Sequence, residues 1–400
     1  MNIVIKDMHE AKKIAYYGIL LRLFVLLLIA LLSDYFGIYF MPDEQIHDDY
    51  KYIYFAETYR DVAYSIWDYE AFVNASASVR HYVENSLDNL WFAFLAVTIY
   101  IVRYEWIIRI INILFAGISV YLLYDLAEKV YDRRVAAFAS KLLAYLPYPV
   151  IFSCYIFKDQ FVMFLLLLEL RFIWQCKEAK TGFKDYIFAL LVLIVIRYTR
   201  SGLDILLILF FGIYMIFNSI KGKKLSIYTL ATFILLACIV IFEGDFLISS
   251  VTYKLNAYLS NRDFYASRII RYMSINEITD IYRLPFSYAL ISILPLNLSI
   301  PLTTWYGIIT KVNLCMIPIA IGNVINMVRP KRDYLFYWGS LMLIFCTIIM
   351  SSMIFRHYYC FLPISFMHFS DYWTSETAKL KAVIMIVSLI LSGLCIVYFN

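Results

Sequence analysis

The sequence predicts an all-α fold, a polytopic transmembrane helix bundle of about 11 spans with surface helices in its first extracytoplasmic loop. Three observations predict it. Hydrophobic residues make up 63% of the 400 residues and charged residues only 16%, against roughly 45–50% and 25% in soluble domains, so the soluble classes are excluded. Apolar runs of span length recur along the chain. Lys and Arg gather in short segments between those runs, as cytoplasmic loops do. The low Gly and Pro counts, 12 and 9, exclude collagen-like and low-complexity chains. The 36 Tyr, 31 Phe and 7 Trp suit wide interfacial belts.

Taken in order, the first apolar run covers about 15–40 and follows Lys12-Lys13. It contains no A-x-A-like cleavage site, so it reads as a retained first helix rather than a removed signal. Further spans are expected over 106–126, 135–153, 160–176, 185–199, 202–218, 225–243, 304–328, 334–353, 357–372 and 382–399. The stretch 284–301 is interrupted by proline and reads as broken or re-entrant. The segment 89–103 is short for a span. Six short segments hold 17 of the 35 basic residues: Lys6, Lys12 and Lys13; Lys129, Arg133 and Arg134; Lys177, Lys180 and Lys184; Lys221, Lys223 and Lys224; Arg329, Lys331 and Arg332; Lys379 and Lys381. They alternate as cytoplasmic loops if 89–103 lies on the outer surface or re-enters, with the N-terminus in the cytoplasm. No internal repeat or soluble domain is found, so 1–400 reads as one integral-membrane domain, with modules 15–218 and 219–400.

Two polar segments then fall outside. The first, Met41 to Asp88, holds ten acids (Asp43, Glu44, Asp48, Asp49, Glu57, Asp61, Asp68, Glu70, Glu84, Asp88) against Lys51, Arg60 and Arg80. One third of all acids thus occupy this loop, numbered 41–88. The second runs from about Glu243 to Arg283 and carries Arg262, Arg268, Arg271 and Arg283 among tyrosines. The outer face is electrically divided.

Four constellations could carry chemistry. In the first loop, Tyr52, Phe55, Ala56 and Tyr59 recur at helical spacing after the acids, which suggests an amphipathic helix lying on the membrane. Asp48 and Asp49 stand at its start, where they either cap a solvated helix or take a proton from an acceptor hydroxyl. Asp43, Glu44, His47, Asp48 and Asp49 also have the composition to hold a divalent cation, although their spacing matches no metal motif. Second, Lys158 and Asp159 open a hydrophobic helix, an expensive place for charge. They read either as a mutual ion pair or as a lysine that grips a lipid phosphate beside a positioning carboxylate. Third, Arg197 and Arg200 are spaced to share a helix face near Asp204, suited to phosphate or to interfacial anchoring. Fourth, Arg356 and His357 open the penultimate span from outside.

The seven cysteines are dispersed without a C-x-x-C pair, so neither a zinc site nor a disulfide framework is indicated.

In this order the elements resemble the GT-C superfamily of integral-membrane glycosyltransferases, especially its protein O-mannosyltransferase and lipid A aminoarabinose transferase branch. That branch carries a D-E/D-x-x-Y-x-x-x-A element after the first span, and DDYKYIYFA supplies Asp48, Asp49, Tyr52 and Ala56 in the matching places. An Arg-initiated helix follows, then an Ala-rich helix ending in Pro, as in RIINILFAGISVYLLYDLAEKVYDRRVAAFASKLLAYLP. Ser153, Lys158 and Asp159 match a Ser and a basic-Asp pair, Arg200-Ser201-Gly202 an Arg-x-Gly opening, and RHYYCFLP a late Arg-aromatic-Pro element. The likeness covers most of 15–218 and returns near 356–363. The Pro-Pro-Leu element of many relatives is replaced by ENSLDNLWF, as in membrane proteins of bacterial capsule and exopolysaccharide clusters.

The resemblance implies an inverting transfer from a polyprenyl-phosphate-linked sugar to a glycan, lipid or protein acceptor, at the outer face of a bacterial plasma membrane. Asp48 would be the base, Asp49 its reserve and Asp159 a second, orienting acid. Lys158, Arg197, Arg200, Arg268, Arg356, His357 and Tyr52 would bind the lipid phosphate and sugar. No cofactor is implied beyond the divalent cation considered above, and no nucleic acid. Two other readings stand beside this one: an oligosaccharide repeat-unit polymerase or ligase using polyprenyl-diphosphate glycans, and a transporter or flippase for lipid-linked sugars.

Overall fold

A computed structural model of the chain describes residues 2–37, 48–79, 89–178, 181–200, 202–220, 304–329, 333–350 and 358–399. Among the described residues every regular element is helical and there is no strand. The helices are α1 (Asn2–Phe36), α2 (Asp48–Val62), α3 (Tyr69–Ser78), α4 (Asn89–Val102), α5 (Trp106–Val130), α6 (Arg133–Tyr145), α7 (Pro147–Phe152), α8 (Asp159–Lys177), α9 (Phe183–Thr199) and α10 (Leu203–Ile220). After the central gap come α11 (Trp305–Val312), α12 (Ile317–Met327), α13 (Tyr334–Met350), α14 (Leu362–Ser375) and α15 (Ala378–Phe399). Short 3₁₀ turns, Asn313–Met316 and Tyr359–Phe361, precede α12 and α14.

Among the described residues, three helices are long and apolar enough to cross a membrane: His9–Phe36, Trp106–Val130 and Gly307–Met327. Leu90–Val102, Leu203–Met215 and Tyr334–Phe345 are shorter apolar helices. The chain is a multi-pass membrane protein. The expected spans at 160–176, 185–199, 202–218 and 334–353 correspond to α8, α9, α10 and α13, whereas 225–243 and 284–301 lie outside the described residues.

The expectation of one span over 135–153 is corrected. The run is split at Leu146, whose ψ of 137° is extended, between α6 and α7. Pro147 is the cause, because a proline pushes the residue before it out of the helical region. The 13 residues of α6 reach only about 20 Å. Its buried face, Val135, Ala136, Ala139, Ser140, Leu143 and Ala144, opposes the exposed Arg133, Arg134 and Lys141. The expected helix on the membrane is corrected too. Tyr52, Phe55, Ala56 and Tyr59 do form one buried face of α2, but protein covers it: the Tyr52 and Phe55 rings meet Phe92 of α4 at 5.4 and 4.7 Å. The alternation of apolar positions marks a face without saying whether lipid or protein will cover it.

The centre of the bundle is α5, which packs against α1, α6 and α8. Where hydrocarbon surrounds a bundle, apolar burial no longer distinguishes partner from lipid, so small residues and interhelical hydrogen bonds specify the contacts. Both are present. A Cβ on Gly322 of α12 would lie 2.5 Å from the Phe369 ring of α14, and one on Gly339 of α13 only 2.0 Å from the Phe210 ring of α10. On the α12–α14 seam, Asn323 donates to the Ser365 hydroxyl at 2.7 Å and Asn326 to the His368 carbonyl at 2.7 Å. Buried His368 then ties α14 to Tyr131 and Ser340, 2.9 Å from each. Ser340 donates its single proton to the Tyr337 carbonyl, so it accepts from His368 Nε2, and Tyr131 donates to Nδ1.

Ion pairs gather near helix ends. Glu10–Arg133, Asp125–Lys129, Asp125–Arg171, Lys177–Asp333 and Arg329–Glu376 join ends that border basic loops. At the opposite ends of α8 and α9 lie the pairs Arg200–Asp159 and Arg197–Asp204.

Candidate active site

The segment between α7 and α8 is irregular backbone inside the bundle. Ser153, Cys154, Tyr155, Ile156 and Phe157 are all at most 1% exposed. Without water, each polar group there must find a partner within the protein. Side chains of two helices supply them. Arg22 of α1 donates through Nε to the Ser153 hydroxyl at 3.1 Å, and its other nitrogens donate to the Gly18, Leu143 and Ala144 carbonyls. From α5, Arg109 donates to the Cys154 carbonyl at 2.9 Å, and Asn112 donates to those of Tyr155 and Phe157 at 2.8 and 3.1 Å. The segment so held delivers Lys158 and Asp159 to the start of α8.

Asp159, 1% exposed, accepts a charge-assisted bond from Arg200 at 2.7 Å. Arg200 also approaches the Cys360 thiol at 3.5 Å, and neighbouring Tyr359 donates to Gln160 at 2.8 Å. Arg197 pairs separately with Asp204 at 3.2 Å. Three-residue spacing therefore does not set both guanidiniums on one helix face. The helix α9 stops at Thr199, Arg200 leaves the helical region (φ −148°, ψ 87°), and Gly202 at φ +92° turns the chain into α10. An L side chain resists that φ, which fits glycine at this turn. Asp204 closes the turn by accepting the Gly202 N–H at 3.0 Å.

The first loop stands at this same end. A largely apolar cavity of about 410 Å³ opens between Tyr59 of α2, Phe72 of α3, Ala93 and Val97 of α4, and Tyr198, which lies between the two arginines. Asp68 at its edge caps α3 by accepting from Ala71 at 3.0 Å, and it also accepts from Tyr64 at 3.0 Å. These N–H groups hold the exposed carboxyl below the usual carboxylate range.

Asp48 and Asp49 form the first turn of α2, and Tyr52 is buried edge-on to Phe92 and Trp91. Arg268, Arg356 and His357 lie outside the described residues, as do Asp43, Glu44 and His47. Among the described residues no group of three His, Cys, Asp or Glu could hold a metal ion. The structure thus brings Asp159 and Arg200 together, sets Arg197 on Asp204, and uses Tyr52 for packing.

Sequence reasoning missed Arg22 and Asn112, and met Arg109 only as the first residue of the Arg-initiated helix motif, without a partner. A signal existed for Arg22, an ionisable residue within an apolar run being a functional candidate by default. Nothing local in the sequence marks Asn112 as a partner for carbonyls 43 and 45 residues away. Glu169 of α8, 3% exposed, was also overlooked. It lines a small cavity between α8, α9 and α10.

Residues 85–242 match the family model described as dolichyl-phosphate-mannose-protein mannosyltransferase. The matched stretch is thus similar to glycosyltransferases that use a lipid-phosphate-linked sugar. The match covers the loop 153–158, Lys158, Asp159, Arg197, Arg200 and Asp204, but Asp48, Asp49 and Tyr52 precede it. No curated protein matches the chain.

Proposed function

We propose that the protein transfers a sugar from a polyprenyl-phosphate carrier to an acceptor hydroxyl on the extracytoplasmic face, with inversion, in assembly of a cell-surface glycan. One observation carries the reading. The stretch that matches the mannosyltransferase family model contains a buried acid paired with a half-buried guanidinium beside a lysine, at the end of the bundle where the acidic first loop lies. Lys158 and Arg200, with Arg197 nearby, hold the donor phosphate, and Asp159 holds the Arg200 guanidinium in place. Asp48 takes the proton of the acceptor hydroxyl, with Asp49 as the alternative. The acceptor oxygen then bonds to the anomeric carbon while the bond from that carbon to the phosphate oxygen breaks, and polyprenyl phosphate leaves. Arg268, Arg356 and His357, outside the described residues, are assigned to the same phosphate and sugar. The setting is a bacterial plasma membrane with the N-terminus in the cytoplasm.

The test incubates purified protein in nanodiscs with radiolabelled polyprenyl-monophosphate and polyprenyl-diphosphate sugars and reads release of the lipid phosphate. A carboxylate base contributes about 10²–10⁴-fold, so Asp48→Asn loses nearly all monophosphate turnover while remaining folded. Turnover of diphosphate-linked oligosaccharide alone replaces this reading by a repeat-unit polymerase. Full activity of both Asp48→Asn and Asp49→Asn removes the assigned base.

A further inference from the structure

The segment 153–158 poses a problem that the proposed chemistry does not solve by itself. Lys158 must be held at a fixed place, yet it ends a stretch without regular secondary structure inside the bundle. Turn hydrogen bonds from the Ser153, Cys154 and Tyr155 N–H groups to the Pro149, Ile151 and Phe152 carbonyls tie its start to α7. Its Tyr155 and Phe157 carbonyls, two residues apart, converge on one amide, Asn112 Nδ2, at 2.8 and 3.1 Å. Asn112 is wholly buried on α5, one turn from Arg109, which holds the Cys154 carbonyl. Both neighbours of the amide are acceptors, so its nitrogen must face them, and the orientation is fixed by chemistry. The second bond ends on the carbonyl of Phe157, the residue joined directly to Lys158.

We propose that Asn112 is a positioning residue, clasping the Tyr155 and Phe157 carbonyls so that Lys158 is presented to the donor phosphate. The proposal rests on the assignment of Lys158 to that phosphate. Opening the clasp leaves the chemical groups untouched but lets the end of the segment move. A phosphate contact made equally in the bound complex and the transition state affects KM and spares kcat. Damage to the fold alone would instead lower the amount of active enzyme and leave the donor KM unchanged.

The experiment compares wild type, Asn112→Leu and Asn112→Gln as full chains in nanodiscs. It reads amide hydrogen exchange of the peptide spanning 153–158 and the kinetics with a polyprenyl-monophosphate sugar. Leucine matches asparagine in size and has no donor. Its variant is expected to exchange faster in that peptide alone, with a donor KM raised about tenfold, within the roughly 10²-fold that a 1 Å misplacement can cost. Its kcat stays within about twofold of wild type. Glutamine keeps the amide and lies nearer wild type on both readouts. Wild-type exchange in Asn112→Leu, or a wild-type donor KM, overturns the proposal. Should Asn112→Leu fail to fold, Asn112→Ser carries the same test, since its hydroxyl serves one carbonyl at most: intermediate exchange and KM support the clasp, and wild-type values overturn it. Silence of the wild type on every monophosphate donor would count against the transferase reading, while hydrogen exchange would still decide the clasp.

Discussion

Asp159 and Arg200 approach within 2.7 Å with side chains 2% and 14% exposed. Removing one member of a buried pair leaves the other charge uncompensated, at a cost of about 3–5 kcal/mol, whereas removing both costs less than the sum. Asp159→Asn and Arg200→Gln should each lower unfolding stability by about that amount. The double variant should recover part of the loss, as thermal unfolding in detergent would show. Additive losses would mean that the pair is not energetically coupled. At the other end of α8, Asp333 offers a pH-dependent contact. Burial raises its pKa, but the Lys177 ammonium, the Phe336 N–H and the Tyr214 hydroxyl outweigh that and leave it lowered. A lowered folded value means the contact contributes fully above the unfolded pKa of about 3.9 and fades as pH falls through the folded one. The stability gap between wild type and Asp333→Asn should therefore stay level from about pH 7 to 5 and close below about pH 4.

Among the elements, the α9–α10 turn is the most sensitive to backbone chemistry. Gly202→Ala forces a side chain into the φ of +92°, a strain of about 1–3 kcal/mol. Because Arg200 and Asp204 flank this glycine, the variant should lose donor affinity as well as stability, measured as KM beside thermal unfolding. Gly322 belongs to a different class. Its backbone is ordinary helix, and the constraint is the Phe369 ring across the seam. The elements also show where the sequence was legible. Long apolar runs gave α5 and α8 within a few residues of their ends. The break at Leu146 could be anticipated from Pro147 and the positive φ at position 202 from its glycine, because each follows from the backbone chemistry of that residue or its neighbour. The cover over Tyr52 and Phe55 could not, because it depends on which helix packs there.

For the molecule as a whole, basic residues border one set of helix ends, while the first-loop helices and the Asp159–Arg200 pair occupy the opposite ends of α8 and α9. The proposed orientation, argued from the positive-inside rule, has the basic end in the cytoplasm. A membrane-impermeant maleimide added to intact cells should label Tyr64→Cys, since Tyr64 is 96% exposed in the first loop, and label Thr377→Cys only after permeabilisation. Background labelling is expected to be low from Cys154, Cys176 and Cys360, which are buried. The reverse pattern would invert the orientation and move the proposed chemistry to the cytoplasm.

The sequence by itself determined the membrane class, most helix positions, the division of charge and the GT-C likeness, because each depends on composition, periodicity or the order of short motifs along the chain. Tertiary structure alone decided that Arg200 serves Asp159 while Arg197 serves Asp204, that Tyr52 packs in the core, and that Arg22, Arg109 and Asn112 secure the segment before Lys158. Apart from Arg197–Asp204, seven residues apart, those contacts join residues far apart in sequence. A buried carbonyl accepts any donor that reaches it, so the choice of donor is made by packing and leaves no local mark in the chain.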